Sequence, residues 1–139
     1  MNRIILVLPA LLLYLILPAC QPPNTAPSPG MGDPYPAPLN DPQISILSPE
    51  LRPWLGFHPA IVVDDGHRPM QVEVPVRNLT NNEYNIDYRI LFYDTAGREL
   101  EPVMGWTFAP LRPKQTVRLK GGALSTDAVE YRLEVKWAR

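Results

Sequence analysis

The sequence predicts an all-β fold, a small immunoglobulin-like antiparallel β-sandwich over residues 44–139, after a signal peptide and a disordered proline-rich linker. Apolar and polar residues alternate with a period of two along most of this segment, as in strands that bury one face. Six or seven such short strands are separated by turn-forming residues, and no helical period accompanies them. Strands of this kind bury their apolar faces by packing as two sheets.

Residues 1–19 have the pattern of a signal peptide. Asn2 and Arg3 form a short positive region, and an apolar run of 14 residues extends from Ile4 to Leu17. At ~1.5 Å per residue this run spans about 21 Å as a helix, which is less than the ~30 Å core of a bilayer. We therefore expect cleavage. A soluble exported protein and a short uncleaved anchor are the alternatives to a lipid-anchored protein.

Cys20 is the predicted site of lipid attachment. It is the only cysteine, and it ends the sequence Leu17-Pro18-Ala19-Cys20, which resembles a bacterial lipobox. The resemblance implies a diacylglycerol on the thiol and a fatty acyl group such as palmitate on the freed amine. Gln21, rather than an aspartate, follows the cysteine, and this is similar to enteric lipoproteins of the outer membrane. A single cysteine also excludes a disulfide within the chain.

The next segment, residues 20–43, is predicted to be a tether. Proline fixes φ and removes a backbone donor, so a segment dense in proline forms neither helix nor sheet. At ~3.1 Å per residue the tether would reach about 70 Å when fully extended. A ligand for a proline-recognising partner is the alternative to a spacer. The prolines are Pro22, Pro23, Pro27, Pro29, Pro34, Pro36, Pro38 and Pro42.

The domain is predicted to begin with a short helical turn at Ser48–Leu51, with Ser48 as the N-cap and Pro49 at the first position. We expect Pro53 to end this turn. A short strand at Ile61–Val63 and a turn at Asp64–His67 follow.

Two strands in the middle of the domain have clear alternation. The first begins at Met70. Its Pro75 has no backbone N–H to donate to the hydrogen bonds between strands, which predicts an edge strand or a bulge. The second, from Tyr84 to Tyr93, becomes apolar on both faces toward its end, which predicts a central strand. The inward residues of the first are predicted to be Met70, Val72, Val74 and Val76.

Three shorter elements and a final strand complete the pattern. Asp94–Gly97 is predicted to be a tight hairpin, with Gly97 available for positive φ. Strands are expected at Trp106–Phe108 and Thr116–Lys120, the latter burying Val117 and Leu119. The last strand is predicted to place inward Val129, Tyr131, Leu133, Val135 and Trp137.

One run of the sequence resembles a known family. It includes Asn78, Asp87-Tyr88-Arg89-Ile90-Leu91-Phe92-Tyr93-Asp94, Gly97 and Trp106. Residues 60–137 are similar to the YcfL-like lipoproteins, in which a signal, a lipid-modified cysteine and a linker precede a small immunoglobulin-like sandwich. The resemblance implies a place in the Gram-negative envelope, and it carries over no catalytic residues.

Composition and motifs argue against several functions. The chain has 13 Lys and Arg against 14 Asp and Glu, so it lacks the basic excess of a nucleic-acid binder. No nucleophile motif or phosphate-binding loop is found, so we expect neither an enzyme nor a cofactor. The one possible metal site would combine His58 and His67 with Asp64 and Asp65, but their spacing is not typical of metal ligands.

Two groups of residues are candidate binding surfaces. The first is a basic stretch without acidic residues, which could contact an anionic partner or could be a solvated sheet edge. It comprises Arg112, Lys114, Arg118 and Lys120. The second could be an exposed aromatic patch, although core packing is the alternative use of most of it. It comprises Trp54, Leu55, Phe57 and Phe108.

These observations together predict a non-enzymatic lipoprotein, anchored in the outer membrane and facing the periplasm. We expect its sandwich to bind or position another envelope protein. The alternatives are a binding module for a small ligand or cell-wall glycan, and a metal-binding protein that uses His58 and His67.

Overall fold

A computed structural model describes residues 41–138, which form eight strands and one short 3₁₀ helix. Cys20, the predicted signal peptide and nearly all of the predicted tether lie outside the described residues. The helix spans Pro49–Trp54. The strands are β1 (Ile44–Ile46), β2 (Leu55–Phe57), β3 (Ile61–Val63), β4 (Gln71–Asn78), β5 (Tyr84–Tyr93), β6 (Thr107–Leu111), β7 (Thr116–Gly122) and β8 (Glu130–Trp137).

The strands form two sheets that pack as a sandwich, as the sequence predicts. The first sheet has the order β1-β8-β5-β6. In the second sheet, β4 pairs with β7 along one edge and with β2 and β3 along the other. All pairs are antiparallel except β1 with β8, which is parallel. The sandwich is therefore mainly antiparallel, with one parallel strand added where the chain enters the domain.

The alternating residues of the central strands form the core between the sheets. On β4, Val72, Val74 and Val76 are at most 2% exposed, while Gln71 and Arg77 point outward or lie at the margin. β5 pairs with both β6 and β8, and its outward Leu91 is also buried, so this strand is central as predicted. The inward residues of β5 and β8 are buried in the same way. They include Ile86, Tyr88, Ile90, Tyr131, Leu133 and Val135.

Pro75 lies in a central strand, so the prediction that its strand forms a sheet edge is wrong. The Pro75 carbonyl accepts a hydrogen bond from the His58 backbone N–H at 3.0 Å, so the proline nitrogen faces the same side. On that side β2 ends at Phe57 and β3 begins at Ile61, with a one-residue change in register between them. The missing donor therefore faces a break between two short strands, where no ladder bond is needed.

Three other residues differ from the predictions. Ser48 makes no side-chain cap to the helix, because its Oγ accepts a hydrogen bond from the Trp137 N–H at 3.2 Å, and the helix continues past Pro53. Val129 is 50% exposed rather than inward, because it lies outside β8, which begins one residue later at Glu130. Among residues 41–138, no helix has the length and apolar character that crossing a bilayer requires.

The two sheets approach closely at Gly121 on β7. A Cβ atom at this position would lie 3.0 Å from both Cβ and Cδ1 of Ile90, which is on β5 in the opposite sheet. We expect Gly121→Val to lower the free energy of unfolding by about 1–3 kcal/mol, the usual range for overpacking a core. Urea unfolding checks this, with Gly105→Val as the control because that site has no atom within 4 Å. Equal unfolding midpoints for the two variants would contradict the close packing.

Asp94 holds the hairpin that follows β5. Its Oδ1 accepts hydrogen bonds from the N–H groups of Ala96 and Arg98 at 2.8 and 2.9 Å, and Gly97 has a φ of 72°. The Arg98 backbone and guanidinium hydrogen bonds hold the pKa of the Asp94 carboxyl below its usual 3.8. A lowered pKa in the folded state adds stability above the unfolded value, and this stability is lost as the pH falls through the folded value.

We therefore expect Asp94→Asn to lower the melting temperature at pH 7, with the difference from wild type narrowing as the pH falls below 3.8. Thermal unfolding of both proteins from pH 7 to below pH 3.8 measures the difference in melting temperature. Asp87→Asn is the control, because it changes the same charge on an outward position of β5. A difference that is constant with pH would show that the Asp94 carboxylate charge is not responsible.

Candidate binding surfaces

The outer face of the second sheet carries two of the predicted basic residues, and both face a carboxylate. Glu73 on β4 lies opposite Lys120 and diagonal to Arg118 on β7. Its Oε1 is 2.7 Å from Arg118 Nη1, and its Oε2 is 3.2 Å from Lys120 Nζ. The hydrogen bond from Lys120, with the Arg118 charge beside it, lowers the pKa of the Glu73 carboxyl. These cations are therefore partly neutralised by a residue that is distant in sequence.

The other two basic residues lie at the turn between β6 and β7. Lys114 has a φ of 57°, its backbone N–H donates to the Thr80 carbonyl, and its Nζ donates to the Leu79 carbonyl. Arg112 is exposed. The structure thus separates the basic stretch into a turn and a strand face, and it does not bring the four side chains into one anionic-ligand site.

Three of the four predicted aromatic-patch residues belong to the core. Leu55 and Phe57 are buried. The Trp54 ring stacks on Tyr84, with centroids 5.2 Å apart, and meets the edge of Trp137 at 5.7 Å. Only Phe108 of the four is an exposed large hydrophobic residue, with 58% of its area accessible. Core packing is thus the use of most of this group.

The outer face of the first sheet holds a cation–aromatic cluster that sequence analysis missed. Lys136 Nζ lies 4.0 Å from the ring centroid of Trp106, and Arg89 Cζ lies 4.7 Å from it. Arg89 also donates to Glu134 at 2.7 Å. These residues come from β5, β8 and the loop before β6, which are distant in sequence. The alternation along β8 predicted that Glu134 and Lys136 face outward, but no sequence signal placed Trp106 or Arg89 beside them. Because the chain's own cations lie against Trp106, its ring is not a free stacking platform.

The histidines do not assemble a metal site. In the part of the chain that the structure describes, no group of three or more His, Cys, Asp or Glu residues is placed to hold a metal ion. Asp65, one of the four proposed ligands, is bound by Arg68 at 2.6 Å and by the His67 N–H. The Asp64 carboxylate caps the Gly66 N–H of the same turn. The carboxylates are therefore used for turn geometry.

A cavity of about 220 Å³ opens at the end of the sandwich where the chain enters the domain. It lies between the loop after β5 and the loop after β7, and both loops lack strand periodicity, so no sequence pattern indicated it. Leu124 at its margin is 75% exposed. The cavity is lined mainly by apolar residues that include Phe92, Leu100, Met104, Ala123 and Leu124.

A comparison with known protein families shows the family to which this chain belongs. The family described as "Protein of unknown function (DUF1425)" matches residues 58–137, which is more than half of the chain. The chain belongs to the DUF1425 family. The match covers the strands from β3 to β8 and both loops of the cavity. No curated protein matches the DUF1425 chain.

Solved structures share the DUF1425 fold. The crystal structure of Campylobacter jejuni cj0090 is 20% identical, with a TM-score of 0.52 over 69% of this chain and 98% of that one. A DUF1425 family member from Shewanella sp. pv-4 is 17% identical, with a TM-score of 0.53 over 61% of this chain and 79% of that one. At these identities the likeness establishes the sandwich fold and nothing about activity.

Proposed function

We propose that this DUF1425 protein is a lipoprotein of the YcfL-like type, anchored in the outer membrane and facing the periplasm. Its sandwich binds or positions another envelope protein and has no enzymatic role. The observation that carries the proposal is the sole cysteine, Cys20, placed directly after an apolar segment and ahead of a proline-rich segment. A lipid at this position would confine the domain to the membrane surface.

Features of the described domain support binding to a protein. Phe108, on the outer face of the first sheet, is 58% exposed, and Leu124, at the cavity, is 75% exposed. Aromatic residues such as Phe108 are enriched at protein interfaces relative to the rest of the surface. The cavity volume of about 220 Å³ is below the 300–1,000 Å³ typical of small-molecule sites, so it favours a protein contact over a whole ligand.

Affinity capture of the acylated protein from envelope extracts tests the proposal. We expect a protein partner to be recovered in a fixed ratio. The control is a chain that ends at residue 43 and keeps only the anchor and tether. Recovery of the same partner with this control would assign binding to the proline-rich segment. Recovery of peptidoglycan fragments alone would favour the alternative, a module for a cell-wall glycan.

A further inference from the structure

The end of the sandwich with the cavity is also the end nearest the tether. Gln43 immediately precedes β1, and its carbonyl accepts a hydrogen bond from the Leu133 N–H at 2.8 Å. Leu133 lies two residues after Tyr131 on β8. Tyr131 pairs with Phe92 of β5, and Phe92 lines the cavity. The cavity therefore opens at the end of the domain to which the tether is joined.

The size of the cavity suits one side chain. Apolar cavities of about 150 Å³ hold a benzene molecule, so a volume of about 220 Å³ has room for an aromatic or large aliphatic group. The apolar walls from Phe92, Leu100 and Met104 would contact such a group directly. A few anchors buried in pockets commonly carry most of the binding energy of a protein interface.

The charges around the cavity indicate the sign of the charge that a binding partner would carry. Within residues 41–138, Glu101 is the one charged residue that lines the cavity. Ser125, also in the lining, donates its hydroxyl to Asp127 Oδ2 at 2.7 Å, which places a second carboxylate beside the rim. Arg98, from the hairpin before the loop, is bound to Asp94 at 2.7 Å. An acidic rim attracts a cationic segment and repels anionic lipid headgroups.

We propose that this cavity is the docking point for an aromatic or large aliphatic side chain in a basic segment of the partner protein. This inference rests on the proposed function, because it specifies the chemistry of the envelope partner. Leu124 at the margin extends the apolar contact, and Glu101 with Asp127 pairs with the flanking cations. The rim charges would raise the association rate and the anchor would supply most of the affinity.

A titration followed by NMR of methionine methyl groups tests the proposal on the full-length acylated protein in non-ionic detergent. The probe is the synthetic peptide Lys-Lys-Gly-Trp-Gly-Lys-Lys. Met104 lines the cavity, whereas Met70 is a core residue at 3% exposure whose signal reports that the domain is folded. We expect a saturable shift of the Met104 methyl signal. A peptide with Ala in place of Trp should bind about tenfold more weakly or worse.

Two variants test whether the peptide binds at the cavity. Ala123→Leu fills the cavity and Glu101→Lys reverses the charge that lines it, so each should weaken binding, the second by about two- to fivefold. Leu47→Ser is the control, because Leu47 is 48% exposed and does not line the cavity, so it should leave the titration unchanged. The proposal is overturned if Met104 shows no saturable shift up to about 1 mM peptide. It is also overturned if both cavity variants bind as wild type does.

Other outcomes separate this inference from the function on which it rests. A Met104 shift with vesicles of anionic phospholipid, and none with the peptide, would overturn the basic-segment docking in favour of a lipid contact. If affinity capture returns the same partner with wild type, Ala123→Leu and Glu101→Lys, the proposed function stands and the cavity is not its docking point. If capture returns no protein while the peptide binds at the cavity, the inference about its chemistry survives the loss of the proposed function.

Discussion

Replacing Cys20 with alanine is expected to abolish lipid attachment, and with it the lipid anchoring of the mature protein in the membrane. Each buried CH₂ of an acyl chain contributes about 0.8 kcal/mol, and two or more chains together give stable anchoring where one gives only reversible binding. Cys20 is the only thiol in the chain, so its loss removes the one site for this modification. The apolar run before it has 14 residues and is too short to span a bilayer easily.

Metabolic labelling with a fatty-acid analogue, followed by fractionation, gives the measurement. Wild type should carry the label and Cys20→Ala should not, while Gln21→Ser is the control because it keeps the cysteine. Mass spectrometry of the mature chain should find an amino-terminal Cys20 with lipid on it. An unmodified amino terminus in wild type would contradict the lipoprotein assignment. Retention of an uncleaved and unlabelled wild-type chain in the membrane would identify the short-anchor alternative.

The strand pattern was predictable because a two-residue period depends on local sequence alone. The long strands β4, β5 and β8 have apolar residues at alternate positions, and each buries the expected face. Val129 marks the limit of this reasoning, because alternation does not indicate where pairing begins. A strand's place in the sheet was harder to predict, since Pro75 is compatible with a central position only because β2 and β3 leave a break opposite it.

The surfaces were less predictable because they depend on contacts between distant residues. Arg118 and Lys120 occur in a stretch without acidic residues, yet Glu73, more than 40 positions earlier, lies between them. Trp106 and Lys136 meet in the same way, through the pairing of β5 with β8 and β6. Register between strands decides these contacts, and a one-residue slip would reverse each face.

Asn78 forms a buried polar centre at the other end of the sandwich. Its side chain is fully buried, and its Nδ2 lies 2.6 Å from the Asn82 carbonyl and 3.1 Å from those of Leu111 and Arg112. Its Oδ1 accepts hydrogen bonds from the N–H and hydroxyl of Thr80 at 2.9 and 2.8 Å. Asn78-Leu79-Thr80 matches a glycosylation acceptor, but here the amide joins the end of β4 to the end of β6.

Asn78→Ala is expected to lower the free energy of unfolding by about 3 kcal/mol or more. The substitution leaves buried donors and acceptors unpaired, and each such group costs about 1–3 kcal/mol. For a domain of this size the melting temperature should fall by roughly 10–20 °C, and thermal unfolding measures it. Asn85→Ala is the matched control, because Asn85 is an exposed residue of β5. A loss within about 0.5 kcal/mol of that control would contradict a structural role for the Asn78 amide.

Thr80 provides a second test, because the Asn78 carboxamide and the Thr80 hydroxyl act as one network. Thr80→Val keeps the shape and removes the hydroxyl, whereas Thr80→Ser keeps the hydroxyl, so only Thr80→Val should destabilise strongly. In the double variant of Asn78→Ala with Thr80→Val, the two losses should be less than additive, since each removes the same hydrogen bond. Additive losses would show that the two side chains are energetically independent, and the buried centre would then be two separate contacts rather than one.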